Sequence, residues 1–147
     1  MTPIQLDRVL AACVSLNQMD NAALAFMLSG AYGYFDGLRV VDRSAHQAPK
    51  VMLMYTLGSL PNDKRQEFEK HLKAVMNDPQ QKQKVCISVQ SFGPPAYYPK
   101  YMIDHGMDAM LAAQSGATLP NRGLVDPFDA ANAWRTAVKA YLLCEAP

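Results

Sequence analysis

Three times in this chain a residue with a short oxygen-bearing side chain is followed at once by proline, at Thr2-Pro3, Asp78-Pro79 and Asp126-Pro127. Apolar residues three and four apart come next each time. A side-chain oxygen at that place accepts from the unpaired N–H groups of a helix's first turn, and proline is tolerated there because its missing N–H has no partner to lose. The pattern starts helices and suits a sheet poorly, so it sets the expectation for the whole chain.

Read on that basis, Thr2-Pro3 with Gln5 at the capping-box position opens a helix to about Leu16, with Leu6, Val9, Leu10, Cys13 and Val14 on one face. Asp20 caps a longer helix in which Leu24, Met27, Leu28, Ala31, Phe35 and Leu38 form one stripe, ending near Val41 to Arg43. The apolar run from Lys50 to Leu57 fits a buried helix or a strand by length and is read as helix. Residues 62–77 form an amphipathic helix on Phe68, Leu72, Val75 and Met76. Asp78-Pro79 starts another, although Val85 to Phe92 partly alternates. A helix from Pro99 to about Gln114 follows, and the last runs from Asp126-Pro127 to near Cys144, with Phe128, Ala131, Trp134, Val138, Tyr141 and Leu142 on one face. The expected fold is all-α, an irregular bundle of about six helices in one domain covering 1–147.

Ser29, Gly33 and Gly37 fall four apart in the second helix. Gly30, Gly33 and Gly37 each cost roughly 1 kcal/mol of helix propensity relative to alanine, so close packing or binding must offset them. Half of the 147 residues are hydrophobic, enough to bury a core without metal or disulfide staples. Fourteen Lys and Arg stand against thirteen Asp and Glu, a net charge of +1 with the basic residues scattered, which lacks the footprint of a nucleic-acid binder. No apolar run reaches the roughly 18 residues of a membrane span, and no secretory signal is read at the N-terminus, as would also hold for a chain already trimmed. Cys13, Cys86 and Cys144 form no zinc spacing; one disulfide with a free thiol and three reduced core thiols are both open, and with them the compartment.

No nucleophile elbow, phosphate loop or dinucleotide fingerprint occurs, and neither a cofactor nor a metal is expected. Asp104, His105 and Asp108 have a spacing that could begin a metal or acid–base site, with Gly106 weakening its geometry, and Glu67 and His71 read as a surface ion pair. The most unusual segment runs from Phe92 to Tyr101 and holds three prolines and three tyrosines. Rigid aromatic side chains with polar tips are favoured in interfaces, so Phe92, Tyr97, Tyr98, Lys100 and Tyr101 are the candidate partner-binding residues. The alternative is that the rings cover helix ends at the rim of the core.

Cys13 in the first helix, LSGAYGYFDGLR at 28–39, VCI at 85–87 and an aromatic-rich closing helix ending in Cys144 together resemble the Tai-type amidase-immunity proteins of bacterial type VI secretion. The resemblance implies a small, helical, cysteine-bearing periplasmic protein that blocks the active-site cleft of a secreted, cell-wall-degrading effector. Residues 43–84 have no counterpart in that family. Met27 and Leu28 stand where the family carries a further cysteine, so its disulfide pattern cannot be complete here. The leading expectation is thus a non-enzymatic protein-binding domain, an immunity or inhibitor protein acting on a bacterial toxin or effector. The alternatives are a cytosolic adaptor or regulator of phage or mobile-element type using the glycine-marked helix, and a small metal-dependent hydrolase.

Overall fold

The structure is a computed structural model and describes residues 1–145. It is all-α, with eight α-helices in the order α1 (Pro3–Ser15), α2 (Met19–Arg39), α3 (Ala48–Ser59), α4 (Asn62–Asn77), α5 (Pro79–Phe92), α6 (Lys100–Ile103), α7 (Met107–Ser115) and α8 (Ala130–Thr136). A single π turn, Ala137–Tyr141, extends α8. Among the described residues no strand forms, and one antiparallel bridge, Val40 to Leu124, ties the end of α2 to the 120–125 turn.

The helix starts follow the capping chemistry at two of the three cap–proline pairs. Thr2 and Gln5 make the reciprocal capping box of α1, and the Asp78 carboxylate accepts from the N–H groups of Gln80 and Gln81. Asp126-Pro127 departs from expectation: its peptide bond is cis, and α8 begins later, with Asp129 accepting from the Asn132 N–H. Phe128 lies before the helix, its ring edge-on to Phe35 at 5.5 Å. The second helix starts one residue before Asp20, which lies in its first turn and holds His71 of α4 at 2.8 Å, so His71 pairs with Asp20 and not with Glu67. Both ambiguous runs are helical, as α3 and the second half of α5.

The expected helix from 99 to 114 is broken into α6 and α7, which helps raise the count above six. The reason lies at Gly106, where a Cβ would sit 2.2 Å from an Asp42 carboxylate oxygen. That oxygen accepts from the Asp108 N–H, and the Ser44 hydroxyl accepts from the Met107 N–H. The start of α7 is therefore capped by side chains more than sixty residues away, and the chain must turn to present it.

Helix α2 is the hub, packing on α1, α3, α4, α5 and α8, and it is apolar on most of its circumference, as a central helix must be. One core joins Leu6, Met27, Leu28, Tyr32, Val89 and Val138; another joins Leu10, Val14, Ala22, Leu60 and Phe68. Two of the three glycines have close neighbours: a Cβ on Gly33 would be 2.8 Å from Pro49 at the start of α3, and one on Gly30 would be 3.1 Å from the Tyr141 ring. The glycine-marked face of α2 is largely covered by the chain itself. Leu38, expected on the buried stripe, is exposed.

Candidate functional site

The segment between α5 and α6 has no regular structure, yet it is fixed at both ends and in the middle. Gly93 ends α5 with φ of +71°, and its carbonyl accepts from the Tyr32 hydroxyl at 3.1 Å. Pro95 and Pro99 are buried. The hydroxyls of Tyr97 and Tyr101 both donate to one carboxylate oxygen of Asp36, at 2.7 and 2.6 Å. Arg39 Nε donates to the other oxygen at 2.7 Å, and its guanidinium lies 5.2 Å from the Phe35 ring centre and 5.1 Å from that of Tyr97.

Asp36 itself is wholly inaccessible to solvent. Burial raises its pKa above the ordinary carboxylate range, opposed by Tyr101, Arg39 and Tyr97, which favour the charged form. Burial also raises the Tyr97 and Tyr101 hydroxyls, and the neighbouring carboxylate raises them further, so both keep their protons and act as donors. The carboxylate is sealed and spends its hydrogen-bonding capacity on the chain's own side chains. Its effect is to hold the loop.

This sorts the five residues singled out from the sequence. Tyr97 and Tyr101 point their polar tips inward onto Asp36. Tyr98 donates to the Arg122 carbonyl at 2.6 Å while the Arg122 guanidinium stacks over its ring at 4.1 Å. Lys100 is exposed and pairs with Asp104 one turn on. Phe92, at the end of α5, is 55% exposed. The outward-facing chemistry of the segment therefore rests on Phe92 and Lys100, with the tyrosines as its scaffold.

Asp104, His105 and Asp108 do not converge: Asp104 is engaged with Lys100, the Asp108 backbone is tied to Asp42, and among the described residues no three His, Cys, Asp or Glu side chains gather as metal ligands would. A second buried carboxyl, Asp7, lies between α1 and α2. One oxygen accepts from the Ser29 hydroxyl at 2.7 Å, and the other has no partner among the described residues. Burial raises its pKa, with Ser29 pulling the other way.

The cysteines resolve into one disulfide, Cys86 to Cys144, and a buried free thiol, Cys13. The bridge ties the middle of α5 to the segment after the π turn. Closing 58 residues of chain removes unfolded-state entropy worth about 4 kcal/mol in the loop-closure description. Sequence reasoning held one disulfide with a free thiol open without assigning its partners, and it missed the role of Asp36. The available signal for Asp36 was a pair of opposite charges three apart, Asp36 and Arg39, at the end of a stretch from residue 21 with no other charged side chain.

No family model matches this chain, and comparison with curated proteins and with solved structures likewise finds no match.

Proposed function

We propose that this is a protein-binding domain of the immunity or inhibitor kind, which engages a secreted effector enzyme through the preformed segment Phe92 to Tyr101. The observation that carries the reading is the locking of that segment by Asp36. A loop already held in one conformation has little entropy left to lose on binding, the property that makes rigid loops effective plugs for a cleft. Phe92 supplies exposed apolar surface at the start of the segment, and Lys100, exposed and paired with Asp104, supplies a polar rim at its end. The disulfide supports an oxidising compartment, where such bonds persist, and so an extracytoplasmic site of action.

The test uses Phe92→Ala and Lys100→Glu in place of the tyrosines, whose loss would expose Asp36 and confuse folding with binding. Wild-type protein is expected to inhibit a peptidoglycan amidase effector from the same host stoichiometrically. Phe92→Ala should bind at least about tenfold more weakly, a loss of ~1.4 kcal/mol, with an unchanged melting temperature. Equal inhibition by both variants and the wild type would remove the loop from the interface.

A further inference from the structure

Two clefts lie side by side around the disulfide. One, of about 700 Å³, has Met76 and Leu143 among its apolar walls and Lys82 and Lys84 at its edge. The other, of about 410 Å³, is floored by Trp134 and Val138 and flanked by Arg135 and Lys139. Cys144 and Glu145 line both. On α5, Gln83 lines the first and Gln90 the second, and Ile87 falls between them at four and three residues' distance, on the same stripe and 56% exposed.

Charge is concentrated here. Among the described lining residues four cations stand against the one carboxylate of Glu145, a net +3 on a chain whose total is +1, so the rest of the chain is net negative. Among the described residues none of the four is in an ion pair with an acidic side chain of its own chain.

Leu143, at the rim of the first cleft, has an unusual backbone conformation for its residue type. It follows the π turn with φ of +57°, and the Cys144 N–H reaches back to the Val138 carbonyl at 3.1 Å. Helices closing in this manner usually place glycine or asparagine at the left-handed position, as α1 does with Asn17, because a branched or bulky side chain is strained there. Here the position carries a large aliphatic side chain that is 65% exposed, so the residue is poorly chosen both for backbone conformation and for contact with water. Such local cost gathers where a surface is used.

We propose that the disulfide-spanned groove between α5 and the C-terminal segment docks an acidic segment of a partner protein. Its apolar side chains would rest on Leu143, Ile87 and Trp134 and its carboxylates on Lys82, Lys84, Arg135 and Lys139. Apolar floors between the cations fit side chains better than a phosphate backbone, which favours a protein over nucleic acid. The surface is separate from the loop, since Phe92 lies on the opposite side of α5 from Gln83 and Gln90 by helical spacing.

Trp134 is the chain's single tryptophan, so its emission reports directly on the groove. The full chain would be titrated with a short peptide of alternating glutamate and leucine, the same peptide with glutamine for glutamate, a short single-stranded DNA, and phosphatidylglycerol vesicles. Saturable binding of the glutamate peptide is expected, weakened at least about tenfold by Lys139→Glu and again by Leu143→Gly. Leu143→Gly relieves the left-handed position, so its melting temperature should be unchanged or higher, which separates docking from folding. Absence of saturable binding, equal binding of the glutamine peptide, or tighter binding of DNA or vesicles would overturn the proposal. Phe92→Ala should leave the titration unaltered, so the two surfaces can fail independently.

Discussion

Asp7 and Asp36 are the same residue type, buried to the same degree, on neighbouring helices, and they do opposite things. Asp36 is surrounded by three donor side chains drawn from its own helix and from the segment sixty residues on. Asp7 has Ser29 and an oxygen with no partner among the described residues. The difference shows that burial alone does not decide what a carboxyl contributes. A satisfied one organises a segment that has no hydrogen-bonded secondary structure of its own, whereas a bare one adds desolvation cost with little return.

Substitution at Asp36 is expected to have the largest effect. Asp36→Ala leaves the Arg39 charge and two tyrosine hydroxyls without their acceptor, and an expected loss of about 3–5 kcal/mol should be read by chemical denaturation. Hydrogen exchange should rise first in residues 93–101; a loss spread evenly over the protein would mean that Asp36 does not hold the loop in particular. Tyr97→Phe removes one donor and keeps the ring, so a smaller loss of about 1–2 kcal/mol is expected. A loss as large as that of Asp36→Ala would place the network's weight on one bond.

Asp7 should respond in the other direction. Its raised pKa means that the native state holds the proton to higher pH than the unfolded chain. Its favourable contribution is therefore complete below the ordinary value of 3.8 and is lost as pH rises through the native-state pKa. Asp7→Asn, which is neutral throughout, is expected to gain about 1–2 kcal/mol at pH 7, with the gain vanishing below about pH 4. Melting curves at both pH values check this, and a destabilised variant at pH 7 would show that the unpartnered oxygen is better accommodated than its surroundings suggest.

Much of the fold is written locally. The capping box of α1, the Asp78 cap of α5 and the three-and-four spacing of α1 and α4 are interactions among residues within one or two turns, so the chain displays them in order. What escaped the sequence depends on distant partners. The break before α7 comes from Asp42 and Ser44, the cap of α8 passes from Asp126 to Asp129, and the inward turn of Tyr97 and Tyr101 is set by Asp36. The tyrosine-rich loop is conspicuous by composition, but the direction of its hydroxyls is a tertiary fact. Cysteine pairing is of the same kind, since three cysteines permit three pairings and only the fold brings Cys86 to Cys144.

That bond also governs how the molecule would survive a protease. The exposed connection after α7, around Gly116 to Thr118, lies inside the covalent ring that runs from Cys86 to Cys144. A cut there opens the ring without releasing either piece, because α8 and its extension stay tethered to α5 through sulfur. Cleavage would nick the chain while the clefts beside the bridge keep their walls, and the damage would show as two fragments only once the disulfide was reduced.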